Sequence, residues 1–377
     1  MNVKIPIHND RNLKVRIANM KDWKIAEEDK EDIPKFLEDL GMGKVNRGKK
    51  ISEARQMKYL SVIKAILEQL GKPVSEITLK DTEALEKWVC NSNYAQSTKS
   101  GFFIIFRIYI KWKLGDVKAT ELTYFFDTKV PKKTPDYLPE ADIEKLFKGC
   151  KNNEERFVIA VLFDSGARAE EFHNIRREDI QLPSGSDNYV KLTLKEEYSK
   201  TSGRTISLYW KYSLDAVRDY LEERGVVKQN EPIFNRSYDN TRQFLKRIGM
   251  RVFGYTDGEE IKTEEETEEK QYKKIPNVNI HYHLFRHSSA THYASEMNRQ
   301  QLCYRYGWAF SSNMPDVYIS RAGMNNKELD KKFNGAQMEV VQKVNEQLKE
   351  DMEKQKREME ELKRMFKEIM FQNKGEH

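Results

Sequence analysis

The segment HYHLFRHSSATHYA, residues 281–294, gathers four of the seven histidines of a 377-residue chain around one arginine. A metal centre, a polar helix cap, or a site that handles protons and phosphate could each use such a segment. His283 and His287 stand four apart and would share one helix face, the spacing zinc hydrolases use. Those sites place a glutamate directly after the first histidine, where this chain has Leu284. No cysteine or acid cluster offers a third ligand at a readable spacing, and Arg286 would set a cation beside the ion, so no metal is expected. Capping would account for Ser288 and Ser289 but not for basic residues next to an apolar run. Phosphate chemistry fits best, because imidazole exchanges protons near neutral pH and a guanidinium fork grips two phosphate oxygens at once.

One arginine does not complete such a site. LFDSGARAEEFHNI supplies a second: Asp164-Ser165-Gly166 has the composition of a turn, Arg168 then starts a helix, and Glu171 follows one turn on. Lys200 precedes Thr201-Ser202-Gly203, at the expected tip of a β-hairpin, with Lys195 nearby on the same strand. YGWAFSSNMPDVYISRAG carries Trp308 behind Gly307 and Tyr318 behind a short apolar turn.

These residues need elements to hold them. Residues 46–130 have the pattern of a small all-helical domain. Met57, Leu60, Ile63, Leu67 and Leu70 follow three- and four-residue steps up to Gly71, TLKDTEALEKWVCNS opens with a Thr-x-x-Asp start, and STKSGFFIIFRIYIKWKLG is a third, strongly apolar helix. Residues 1–45 are charged, with EEDKEDIPKFLEDLG as a short helix, and are expected to be an arm or added subdomain. Proline and lysine mark 131–139 as a linker. Residues 140–335 form a second domain, helical except for period-two alternation in NYVKLTLKEEYSKTSGRTISLYW, and the acidic run 258–269 is expected as a solvated loop insertion. From 336 to 377, Val341, Val344, Leu348, Met352, Gln355, Met359, Leu362, Phe366 and Ile369 trace heptads with one stutter. That stripe suits either a helix docked on its own chain or a short coiled coil between subunits.

Composition narrows the class. The net charge of +6 includes the acidic run, so the rest of the chain is more basic than the sum, which favours a nucleic-acid partner. At 11% aromatic residues the bulk of the chain is not a disordered polyelectrolyte. Three scattered cysteines fit a reducing compartment, and with neither a signal core nor a membrane-length apolar stretch the expected location is cytoplasmic.

Gly166-Ala167-Arg168 with Glu171, Lys200, His283-Leu284-Phe285-Arg286, Gly307-Trp308 and Tyr318, in this order and spacing, resemble the tyrosine recombinase (phage integrase) family, in particular its archaeal integrase-like branch. Each piece alone is weak; six in order are specific. Trp308 stands where most members have histidine. The resemblance, which covers roughly residues 45–335, implies a mainly α fold with a small antiparallel β-sheet. It comprises a helical SAM-like core-binding domain, a catalytic domain and, beyond them here, a helical or coiled-coil tail. It further implies that Tyr318 attacks a DNA phosphodiester to form a 3′-phosphotyrosine and that Arg168 and Arg286 hold the non-bridging oxygens. Lys200 would protonate the leaving 5′-oxygen, His283 would accept or shuttle protons, and Trp308 would donate its indole N–H or brace the site by packing. Glu171 would orient His283 or the arginines, and His287 would be a supporting residue or phosphate contact. No metal, ATP or other cofactor is implied. The implied partners are double-stranded DNA with a specific site and further copies of the chain, four on two duplexes, encoded by the cell, a virus or a plasmid. Basic residues suited to DNA backbone contact are Arg47, Lys49, Lys50, Arg55, Lys58, Lys99, Arg107, Lys111 and Lys113 in the small domain and Arg204 in the hairpin. A type IB topoisomerase-like relaxing enzyme and a non-catalytic DNA-binding protein on the same fold are the alternatives.

Overall fold

The computed structural model describes residues 5, 7, 12–131, 134–184, 188–199, 202–225, 227–260 and 272–323, and residues 345–360 apart from 347, 350, 351 and 358. The chain divides into two compact units, residues 6–134 and residues 1–5 with 135–377.

The first unit is helical throughout: α1 (Leu13–Ala18), α2 (Glu27–Met42), α3 (Glu53–Leu70), α4 (Leu79–Asn91), α5 (Gln96–Leu114) and α6 (Asp116–Thr123). α3 buries Met57, Leu60, Ile63 and Leu67 as their spacing requires and ends where Gly71 turns left-handed at φ 65°. α4 starts on the expected box, with the Thr78 N–H donating to Asp81 at 2.8 Å. Much of the segment that sequence marks as an arm or added subdomain packs with the helical domain. Ile33, Phe36, Leu37 and Leu40 of α2 lie in one core with α3 and α5, because their three- and four-residue spacing gives the charged segment a continuous apolar face.

In the second unit α7 (Glu140–Lys148), α8 (Asn153–Ser165) and α9 (Ala169–His173) precede a three-stranded antiparallel sheet. Its strands are β1 (Ile180–Gln181), β2 (Val190–Leu194) and β3 (Arg204–Leu208). α10 (Ser213–Arg224), α11 (Tyr238–Phe253), α12 (Tyr282–Tyr293), α13 (Arg299–Tyr306) and α14 (Met314–Gly323) complete the unit. α8 is its centre: Phe157 through Ser165 are all buried, and α7, α10 and α12 pack around it. The loop joining β2 to β3 is longer than a tight turn and includes a short 3-10 stretch at Glu196–Tyr198. The acidic insertion also differs from expectation, since its start belongs to a second hairpin of β4 (Tyr255–Glu260) and β5 (Tyr272–Pro276). The rest of that run lies outside the described residues.

In the tail, Leu348, Met352 and Met359 are helical and exposed, so no described residue covers the heptad stripe at these three positions. Gln355 is helical too, and the remaining heptad positions lie outside the described residues. Among the described residues no helix is long and apolar enough to cross a membrane.

Candidate active site

The turn after α8 is forced by Gly166. Its φ of 56° suits glycine, and a Cβ there would collide with the Tyr306 ring. The turn delivers Arg168 to the start of α9, where its backbone N–H donates to Glu171 Oε2 at 2.9 Å and its Nη1 to Oε1 at 3.0 Å. Glu171 is fully buried and also takes two bonds from Arg204, at 3.2 and 3.1 Å, and one from the Ser199 hydroxyl at 2.6 Å. Burial alone would raise its pKa. The hydrogen bonds and charge of Arg204, helped by Ser199 and Arg168, outweigh that and hold the carboxyl down at about 2.

Arg204 is therefore not on an open DNA-facing surface. It is 5% exposed, clasps Glu171 with both Nη atoms, and donates Nε to the Arg305 carbonyl at 2.7 Å. A second buried hub lies at Asp164, which accepts from Trp210 N–H at 2.7 Å, Ser213 at 2.6 Å, Tyr293 at 2.5 Å and Arg305 at 2.7 Å. The two hubs bracket the Gly166 turn and tie it to β3, α12 and α13.

α12 presents the His-Leu-Phe-Arg segment. His281 caps it, its Nδ1 accepting the Leu284 N–H at 2.9 Å, and His292 packs against Phe163 and Tyr293. Arg286 is 6% exposed and points inward, donating to the carbonyls of Gly166 at 2.7 Å and Tyr306 at 2.6 Å. Its guanidinium also lies over the rings of Tyr306 and Trp308, 5.3 and 5.5 Å from their centroids. Burial, then the charge of Arg168, push it down to about 9, so it stays a cation at neutral pH.

α14 brings Tyr318 beneath this arginine. The tyrosine is 1% exposed and stacks on Trp308 with centroids 5.4 Å apart and planes within 5°. Trp308 thus contacts both the Arg286 guanidinium and the Tyr318 ring. The Tyr318 hydroxyl lies 2.6 Å from His287 Nδ1, with the two rings stacked 6.0 Å apart. Burial raises the Tyr318 pKa, against the opposing charges of Arg286 and Arg321. His287 had been expected in a supporting place, yet it is the residue that touches the phenol, while His283 is exposed one turn earlier with its ring 6.3 Å from that of His287.

Lys200 lies outside the described residues. Lys195, the lysine that follows β2, is paired with Glu178 and, at 3.0 Å, with Asp179. Beside His283 opens a cleft of about 360 Å³ lined by Tyr238, Arg242, Gln243 and Lys246 of α11, together with His281. The sequence reading missed this basic face; its signal was Arg242 and Lys246, four apart on an amphipathic helix.

In the small domain Lys49, Lys50, Arg55 and Lys58 are exposed. Lys99 instead donates to the Cys90 carbonyl at 2.6 Å, Arg107 to the Thr123 carbonyl at 2.6 Å, and Lys111 pairs with Asp116. Lys113 is unsuited to DNA contact: its side chain is 7% exposed and meets Glu28, Asp29 and Asp32 at 2.9, 2.8 and 3.1 Å.

Two archaeal proteins named tyrosine recombinase XerA are similar in sequence. That of Saccharolobus solfataricus is 23% identical over 209 residues, 52% of this chain and 65% of that protein. That of Pyrococcus horikoshii is 24% identical over 237 residues, 62% of this chain and 71% of that protein. The chain thus spans about two thirds of the length of these curated relatives. Among solved structures, a lambda integrase tetramer bound to a Holliday junction matches with a TM-score of 0.52 at 14% identity, over 76% of each chain. The Tn1549 transposon integrase in complex with a circular intermediate DNA matches with a TM-score of 0.52 at 11% identity, over 77% of this chain and 99% of that one. Both are likenesses of fold. The family model of the phage integrases matches residues 136–325, half of the chain and all of the elements that carry Arg168, Arg286, Trp308 and Tyr318, and the chain belongs to that family.

Proposed function

We propose that this chain is a site-specific DNA recombinase that cuts and rejoins strands through a phosphotyrosine at Tyr318. The observation that carries the reading is the position of the Tyr318 hydroxyl, bonded to His287 and stacked on a tryptophan that packs against the buried Arg286. A phenol of pKa near 10 attacks a phosphodiester only if its proton is removed and the charge of the phosphorane is balanced. Arg286 supplies fixed positive charge that two main-chain carbonyls hold in place, so no reorganisation is needed as charge develops. Arg168 supplies the second cation, oriented by Glu171. That carboxylate is already engaged by Arg204, which leaves the excess charge of the site positive and suited to an anionic substrate.

Tyr318 would join the 3′-phosphate and release a 5′-hydroxyl, with Lys200 protonating the leaving oxygen. Lys195 is committed to Glu178 and Asp179, which favours Lys200 for that task. The phosphotyrosine conserves the energy of the broken bond, so a second 5′-hydroxyl reverses the step without ATP. Exchange between two duplexes would engage four subunits, with the exposed Lys49, Lys50, Arg55 and Lys58 on the DNA backbone. The test is a nicked suicide substrate carrying the cognate site, run on a denaturing gel. Wild type should give a covalent protein–DNA band that Tyr318→Phe lacks. Wild type that binds this DNA yet never forms the band, with or without Mg²⁺, would leave a non-catalytic DNA-binding protein.

A further inference from the structure

We propose that His287, rather than His283, is the base that takes the proton of Tyr318. This rests on the reading of Tyr318 as the nucleophile.

Three observations support it. The hydrogen bond of the Tyr318 hydroxyl runs to His287 Nδ1 at 2.6 Å, already within proton-transfer distance. Tyr318 is 1% exposed, so bulk water is no ready acceptor. The stacking of Tyr318 against both His287 and Trp308 fixes the phenol on α14 against α12, so the donor and acceptor stay aligned.

The surroundings of His287 make the transfer dependent on substrate. Burial, followed by the charges of His283, Arg286, Arg321 and His281, pushes its imidazole down to about 4. His283 and Arg286 share its helix, His281 caps that helix with Asp136 near it, and Arg321 and Tyr318 face His287 from α14; among the described residues that act directly on His287 none is a carboxylate. In the resting protein His287 is therefore neutral, and its Nδ1 is free to accept once Nε2 carries the ring proton. It is also too weak a base to ionise the phenol unaided. A phosphodiester bound at Arg286 brings negative charge that offsets those cations and stabilises the imidazolium. The proton then moves when DNA is in place and stays on the phenol when it is not.

The step balances. The Tyr318 O–H bond breaks and its proton goes to His287 Nδ1. The Tyr318 oxygen bonds phosphorus as the bond from phosphorus to the 5′-oxygen breaks, and that oxygen takes a proton from the acid assigned to Lys200. On rejoining, the 5′-hydroxyl returns its proton to the base form of the acid assigned to Lys200 and bonds phosphorus as the bond from phosphorus to the Tyr318 oxygen breaks, and the His287 imidazolium returns its proton to the departing phenolate.

The test is the rate of adduct formation on the suicide substrate, measured across pH after DNA is bound, in the full chain. His287→Asn keeps a hydrogen-bonding atom near the Nδ1 position but cannot take a proton, and His287→Ala leaves room for added imidazole. Both should slow cleavage about 100-fold or more with Tyr318 still the attached residue. Both should lose the acidic limb of the profile, and imidazole should restore the alanine variant. His283→Asn should keep that limb. Cleavage by His287→Asn within about threefold of wild type would reduce His287 to a positioning residue and overturn the proposal. So would loss of the limb in His283→Asn alone, or His287→Ala that binds DNA but gains nothing from imidazole. If Tyr318→Phe still forms the adduct, the nucleophile assignment fails instead, whatever the histidine variants do.

Discussion

Replacing Glu171 by glutamine tests whether the carboxylate that joins α9 to β3 holds the site together. The residue is fully buried and its carboxyl titrates at about 2 instead of the ordinary 4.5. A depression of about 2.5 units corresponds to about 3 kcal/mol of preference for the ionised form in the folded state. The sign follows from the direction: that stability is fully present above pH 4.5 and is lost as pH falls from there through about 2. Glutamine keeps the shape but leaves the Arg204 guanidinium, which is 1% exposed, without a counter-charge, a loss typically of about 3–5 kcal/mol. In the second unit, an effect of about 3 kcal/mol lowers the melting temperature by about 6–12 °C. Differential scanning calorimetry at pH 7 on the full chain reads this directly. The variant should also flatten the loss of stability between pH 4.5 and 2. A shift below about 2 °C at pH 7 would refute the assignment of Glu171 as a buried structural anion, because breaking a desolvated pair does not come so cheaply.

Arg286→Lys should cost cleavage about 10²–10³-fold, measured on the suicide substrate, because an ammonium lacks the planar fork that satisfies two carbonyls and faces a phosphate together. Gly166→Ala should lower the unfolding free energy read from urea denaturation by at least about 1–2 kcal/mol from its left-handed φ alone, with the Tyr306 clash adding to that. Deleting residues 340–377 should lower the oligomer order in light scattering, because Leu348, Met352 and Met359 are exposed along the stripe; an unchanged mass would exclude an intersubunit coiled coil.

The order of site motifs was legible because each is tied to a local signal: a glycine turn before Arg168, a helix start before Arg286, a glycine stop before Trp308. What failed were judgements that needed the phase of one element against another. His283 and His287 are one turn apart on α12, and only the packing of α14 decides which meets a tyrosine 31 residues beyond His287. Two misplacements had signals in the chain. Arg204 is in step with Ile206 and Leu208, the inward positions of β3, and so had to turn into the protein. Lys113 follows Tyr109 and Ile110 at helical spacing and lies on the buried stripe of α5. In both cases charge suggests surface where periodicity dictates burial. The charge of residues 27–41 likewise hides an apolar face, of which Ile33, Phe36, Leu37 and Leu40 are core. Lys200 lies outside the described residues, and its role rests on sequence alone.

Arg286 is oriented by the carbonyls of Gly166 and Tyr306 and, among the described residues, by no side-chain acceptor. Substitution cannot delete a main-chain oxygen. The orientation of the guanidinium is thus inherited with the path of the backbone. Side-chain changes elsewhere leave both acceptors in place for as long as the backbone keeps its course through Gly166 and Tyr306.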